Sequence, residues 1–259
     1  CRVRGRVDRV RTWTFLGFGG EPDPRAPGPD TPVGETIVKG IDALPLPPDR
    51  PAHVLLMWSG GLDSVALLAN LLAATDHEIH AHHIVLDNGE RRAGAETRAV
   101  NDVLTWCREN LRPFDDSESG HTFPPGGGGG GWDTTLTMFT AARVTRSLPK
   151  WPVDVVVTGH IRTGFRELAE GEAVFHSTFQ SRRRRRPDWI RPLARLTAPT
   201  QPERKADIAW SIPQALVDHS WWCRRPIEQG DDWDECGECH ACKAMTEADQ
   251  VLADRASAT

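Results

Sequence analysis

Ser59-Gly60-Gly61-Leu62-Asp63-Ser64 stands directly after an apolar run, His53 to Trp58, and directly before a run of helix formers, Val65 to Ala74. A strand that stops at Ser-Gly-Gly and passes straight into a helix leaves several unpaired backbone N–H groups at the helix start. The macrodipole favours an anion at the same place. Gly60 and Gly61 let the backbone approach phosphates without a Cβ clash and permit positive φ, and Ser59 and Ser64 offer hydroxyl donors. Asp63 is the odd member, because a carboxylate beside phosphates is repelled unless a cation such as Mg²⁺ lies between them. The plain alternative is a serine-capped helix behind a tight turn. The full hexapeptide in this strand-turn-helix setting points instead to nucleotide phosphates, and it lacks the Gly-Lys-Ser/Thr end of a Walker A loop.

A second set of chemically capable residues lies near the other end. Cys223 is followed by Cys236-Gly-Glu-Cys239-His-Ala-Cys242, two Cys-x-x-Cys steps that share Cys239. Such steps let thiolates converge on one tetrahedral ion, and sites of four cysteines usually hold structural zinc. An iron–sulfur cluster fits the spacing as well, His240 is an alternative ligand, and a reduced, metal-free set of thiols is the plain reading. Cys1 and Cys107 stand apart, Cys107 as a small buried hydrophobe in mid-helix.

The elements that must position these residues read as follows. His53 to Trp58 is a strand buried on both faces, Val65 to Ala74 a helix, Glu78 to Leu86 a second strand, and Ala93 to Leu111 a second helix. Asp115 to Gly131, with its six consecutive glycines, reads as a flexible loop, Asp133 to Ser147 as a helix, and Val153 to Thr158 as a third buried strand. Gly164 to Pro187 has no clean periodicity and includes the run Arg182 to Arg186. Trp189 to Leu193 reads as a short strand and Gln201 to Trp210 as a helix. This alternation predicts an α/β fold with a doubly wound parallel sheet over residues 52–212. Residues 213–259 form a cysteine-bearing appendage. Residues 1–51, rich in Pro and Gly after a strand pair at Val3 to Val10 and Arg11 to Phe18, form an arm or small lobe outside the core, with one apolar island near Ile37 to Ile41.

The 259-residue chain carries 31 Lys and Arg against 36 Asp and Glu, a net charge of −5, which gives no electrostatic case for non-specific nucleic-acid binding. No run of about 18 apolar residues occurs. A soluble cytoplasmic protein without membrane contact is the expectation. His80, His82 and His83 fall along one strand and read as packing residues, His80 and His82 on one side and His83 on the other.

Ser-Gly-Gly-x-Asp-Ser resembles the motif of the PP-loop ATP pyrophosphatases. With Cys223 and Cys236-Gly-x-Cys-x-x-Cys242, the chain resembles the 7-cyano-7-deazaguanine synthase (QueC) family over residues 53 to 245. Asp87-Asn-Gly-Glu-Arg91-Arg92 followed by Glu96, Val155-Val-Val-Thr-Gly159, Pro192-Leu193, Lys205-Ala-Asp-Ile208 and Ser220 to Cys223 are similar to family segments in the same order. The resemblance implies a PP-loop Rossmannoid fold and cleavage of ATP between its α- and β-phosphates at Ser59 to Ser64 and Gly159. It implies Mg²⁺ at Asp63 and a phosphate-side charge from Lys205, whose plain alternative is a solvated helix lysine. It further implies substrate contacts from Asp87 and Arg91, and Zn²⁺ on the four cysteines. The acid activated would be 7-carboxy-7-deazaguanine and the nitrogen donor ammonia. QueC-like proteins of antiviral defence operons suggest a protein amine as another acceptor, and a homodimer is compatible with the family. Two segments depart from its pattern: Pro124-Pro125 with the polyglycine, and His160 to Glu167. Two rival classes are a tRNA-thiolating PP-loop enzyme with an iron–sulfur centre and a non-enzymatic interaction module on an inactive nucleotide fold.

Overall fold

The computed structural model describes residues 37, 39, 41, 46–122, 132–148, 152–159, 165–179, 187–190, 201–230 and 232–257. Strands β1 (His53–Trp58), β2 (Glu78–Asp87), β3 (Asp115–Thr122), β4 (Val155–Thr158) and β5 (Asp188–Ile190) pair in the order β3-β2-β1-β4-β5. Every neighbouring pair is parallel. The chain passes through α1 (Leu62–Ala74) between β1 and β2, α2 (Ala93–Asn110) between β2 and β3, α3 (Trp132–Ser147) between β3 and β4, and α4 (Phe165–Thr178) between β4 and β5. The expected doubly wound parallel sheet is therefore present. Its order reverses between β1 and β4, the switch point beyond whose carboxyl ends open α/β sheets bind ligands.

β1 supplies both halves of the core because its side chains alternate between the faces. Val54, Leu56 and Trp58 join one buried cluster with Leu68 of α1 and Val103 of α2. Leu55 and Met57 join the other with Met138 of α3 and Phe175 of α4. Double-sided burial is why this strand is an unbroken apolar run. Truncating Leu55 or Leu56 to Ala would cost about 2–5 kcal/mol.

Four features differ from the sequence expectation. Residues 115–122 form β3, an edge strand, where the polar composition reads as loop; its serines hydrogen-bond with the imidazoles of β2. Residues 165–178 form α4, although Gly171 interrupts the helix pattern: a Cβ there would lie 3.1 Å from Thr134 Cγ2 and 3.2 Å from Met138 Cγ, so the glycine is what lets α3 and α4 approach closely. Ile37 and Ile41 are fully buried in the α1–α2 core, so the apolar island of the N-terminal region belongs to the core. Their four-residue spacing puts both on one helical face. The cysteine-bearing appendage also ends in a long helix, described next.

After α5 (Gln201–Trp210) the chain forms α6 (Gln214–His219), an antiparallel hairpin of β6 (Ile227–Gln229) and β7 (Asp232–Asp234), and α7 (His240–Ser257), which packs against α5. The strand pair expected before residue 19, the polyglycine, His160 to Gly164, Arg182 to Arg186 and Pro192-Leu193 lie outside the described residues. No helix of the described residues is long and apolar enough to cross a membrane.

Candidate functional site

The turn between β1 and α1 is built around two glycines. Gly60 has φ of 73°, and a Cβ there would lie 3.0 Å from Val100 Cγ2 and 3.2 Å from the Glu96 carbonyl oxygen, so α2 packs directly against the turn. Gly61, in extended backbone, is the N-cap of α1 and makes no side-chain cap. Its carbonyl accepts the Ser64 and Val65 amides, both at 3.0 Å. The Ser64 hydroxyl donates to the same carbonyl at 2.9 Å and accepts the Ser59 amide at 3.3 Å, which makes Ser64 an internal brace of the turn. The amides of Leu62 and Asp63 precede the first intrahelical bond and carry the positive end of the helix dipole. From the other side of the switch point, Gly159 follows β4 so closely that a Cβ would sit 3.2 Å from the N, Cα and Cβ of Ser64.

Lys205, from α5, reaches the same place. Its ammonium donates to both carboxylate oxygens of Asp63, at 2.6 and 2.7 Å. Both side chains are partly buried, at 13% and 25% exposure. The pair removes the plain reading of Lys205 as a solvated helix lysine. It also places a cation beside the one carboxylate of the turn.

A cavity of about 420 Å³ opens over this turn, with Lys205 and Gly159 in its lining. The lining also includes Arg92 and Glu96 from the start of α2 and Trp221, Trp222, Arg224 and His240 from the cysteine-bearing segment. Arg92 and Glu96 are buried and linked at 2.7 Å. Glu90 binds Arg92 Nε at 2.7 Å and Arg224 at 3.3 Å, so one carboxylate joins the main sheet domain to the appendage. Asp87 and Arg91, taken from the sequence as substrate contacts, are exposed and lie outside this lining. Arg91 takes φ of 53°, and the adjacent Arg92 is the arginine that turns inward. The hairpin closes the α2 start: Gly94 leaves no room for a Cβ under the Trp233 ring, and Arg98 lies 5.6 Å from that ring's centroid and pairs with Asp232.

The four thiols of Cys223, Cys236, Cys239 and Cys242 converge, all Sγ atoms lying within 4.8 Å of one another. Cys239 and Cys242 are 3.5 Å apart and Cys236 and Cys242 4.0 Å. A tetrahedral ion with M–S of about 2.3 Å requires S···S edges of about 3.8 Å. Five backbone amides point at these sulfurs: Arg225 and Cys236 at Cys223, Cys239 at Cys236, and Arg224 and Cys242 at Cys239, at 3.3 to 3.4 Å. Burial raises the Cys239 thiol, but the Arg224 and Cys242 amides and the Cys242 thiol outweigh it and bring it down to about 6. Burial and the neighbouring thiols push Cys242 up. Four sulfurs this close cannot all ionise without a cation among them, and the amides are arranged for thiolates; the residues fit a single bound metal ion. His240 is exposed and faces the cavity instead of the sulfurs.

Arg92, Trp221, Trp222 and Arg224 were not singled out as site residues by sequence reasoning. The available signals were the Arg92/Glu96 spacing of one helical turn and the Trp-Trp pair beside Cys223.

No protein-family model and no curated protein matches the chain. Among solved structures, the chain is similar to the U34-tRNA thiolase NcsA from Methanococcus maripaludis with its [4Fe-4S] cluster, at 13% identity and a TM-score of 0.44, covering 86% of this chain and 72% of that one.

Proposed function

We propose that this protein is an ATP-dependent ligase that forms AMP and pyrophosphate, activating the carboxylate of 7-carboxy-7-deazaguanine as an adenylate and passing the acyl group to a nitrogen nucleophile. The observation that carries the reading is the glycine turn at the β1–β4 switch point with Asp63 and Lys205 joined beside it. The turn offers amides for the phosphates. Lys205 offers charge for the phosphoryl oxygens, and Asp63 a ligand for the Mg²⁺ that accompanies ATP and neutralises its phosphates.

In the first step a carboxylate oxygen of the acid attacks the α-phosphorus, and the bond from that phosphorus to the bridging oxygen of the β-phosphate breaks, releasing pyrophosphate. In the second, an amine attacks the acyl carbon, AMP leaves with its carboxylate-derived oxygen, and the nitrogen loses a proton to solvent. A nucleotide held at the turn would lie beside the cavity, whose lining also carries Trp222 for a flat ring and the Arg92, Glu96 and Arg224 charges for its polar edge. The nitrogen source is ammonia, leading towards the nitrile with a second ATP, or an amine of a partner protein. A cytoplasmic setting suits both.

Zinc suits the four-cysteine centre, because the sulfur spacing matches the edges of one tetrahedral ion. A four-iron cluster sets each thiolate outside an iron that is itself displaced from the centre, which demands wider spacing. The tRNA-thiolating alternative is therefore the weaker reading.

The test is oxygen labelling. Enzyme incubated with ATP and the acid carrying ¹⁸O in its carboxylate should yield AMP containing one ¹⁸O, together with amide or nitrile, or an acceptor protein of raised mass. Unlabelled AMP alongside product would contradict acyl adenylation.

A further inference from the structure

We infer that the four-cysteine centre fixes the shape of the phosphate turn, so that metal retention and nucleotide binding are coupled. This rests on the nucleotide reading above and goes beyond it, since closed four-cysteine sites ordinarily serve only to fold the segment that carries them.

The link is residues 221–225. Trp221 and Cys223 are two positions apart, so their Cα atoms are separated by at most about 7 Å. The Trp221 amide donates to the Gly60 carbonyl at 2.9 Å, and a Cβ on Gly61 would come within 3.3 Å of the Trp221 carbonyl oxygen. The segment thus holds both glycines of the turn. Trp221 is in turn locked: its indole N–H donates to the Cys223 carbonyl at 3.0 Å, and its ring is buried with Ala95 and Ala99 of α2 and with Cys223, Cys239 and Cys242. Arg224 and Arg225 place their amides on Cys239 and Cys223, and the Arg224 side chain reaches Glu90, which holds Arg92 at the cavity wall.

The segment of residues 221–225 therefore carries contacts to two sulfurs, to the phosphate turn and, through Glu90, to Arg92 in the cavity lining. A bound ion ties Cys223 to the other three sulfurs and so fixes the backbone two residues from Trp221. Losing the ion unties Cys223 and frees the backbone that braces Gly60. The converse follows from linkage: a nucleotide that requires the braced turn must raise the affinity for the ion by the same factor.

The experiment uses the metal-loaded full chain and α,β-methylene-ATP, which cannot be split at the relevant bond. The equilibrium partition of the metal between the chain and a competing chelator is measured with and without saturating analogue, while calorimetry reports binding of the analogue itself. A metal affinity raised by about five-fold or more is expected, within the usual range of coupling between sites. Analogue affinity in metal-depleted protein should fall by the same factor as the metal affinity rises. Equal metal affinities with calorimetric binding intact would overturn the coupling while leaving the nucleotide reading standing. Absence of analogue binding to the loaded protein would overturn that reading and the coupling with it. Because a merely structural ion would be indifferent to nucleotide, the reciprocal effect separates the two roles.

Discussion

Lys205 Nζ sits at 2.6 and 2.7 Å from the two carboxylate oxygens of Asp63, although 142 positions separate the residues in the chain. On the proposed function, nucleotide entry would rearrange the pair, Asp63 towards Mg²⁺ and Lys205 towards phosphate.

Replacing either partner should therefore damage turnover more than folding. Lys205→Ala should lower kcat for pyrophosphate formation by about 100- to 1000-fold, the loss typical of one preorganised charge or donor. Its stability by urea denaturation should change by no more than a few kcal/mol, since Asp63 remains partly exposed. Asp63→Asn should weaken dependence on Mg²⁺. A Lys205→Ala protein with undiminished turnover would remove Lys205 from the chemistry.

Gly159→Ala tests the switch-point geometry. The added Cβ would meet Ser64 backbone at 3.2 Å, and neither β4 nor the start of α1 is a flexible side-chain end that can yield. A stability loss of about 1–3 kcal/mol is expected from overpacking. ATP affinity should fall as well, because the contact point is the turn itself. Gly60→Ala should cost at least as much, combining the φ of 73° with a 3.0 Å contact to Val100.

Much of this arrangement was legible in the sequence. The apolar run of β1 reads directly as a strand buried on both faces and the cysteine spacing as a converging set, and the structure bears out the parallel sheet and the convergence of the thiols. β3 was not legible. Asp-Asp-Ser-Glu-Ser-Gly-His-Thr contains no apolar residue, and its inward face is polar: Ser117 meets His80 and His82 at 2.7 and 2.8 Å, and Ser119 meets His82 at 2.9 Å. α4 was hidden by Gly171, whose role is a helix–helix contact that no local pattern reveals. The site wall was equally hidden, because Arg92, Glu96 and Arg224 converge only when the appendage folds back on α2.

The histidine–serine seam between β2 and β3 gives a pH dependence. Burial, together with neighbouring His80, His83 and His121, lowers His82 from 6.5 to about 4, and burial lowers His80 as well. A histidine whose folded pKa is depressed stabilises the fold fully above its unfolded value and loses that contribution as pH falls. Stability should therefore decline between pH 6.5 and 4, with a slope of up to about 1.4 kcal/mol per pH unit for each such histidine. Urea midpoints measured from pH 7.5 to 4.5 check this. A flat profile across that window would contradict the seam's neutral state.

Metal analysis checks the centre. One ion per chain, colourless protein, and loss of that ion in Cys239→Ser are expected from the sulfur spacing. A brown chromophore with several irons per chain would instead favour the thiolation chemistry.

The central claim is that the Ser59–Ser64 turn holds ATP for attack at its α-phosphorus by a carboxylate. Pyrophosphate release, followed with and without 7-carboxy-7-deazaguanine, tests it most directly. The account predicts AMP and pyrophosphate in equal amounts, dependent on the acid and abolished in Asp63→Ala. ADP and inorganic phosphate as the products, or ATP left intact with the acid and a nitrogen donor supplied, would contradict it.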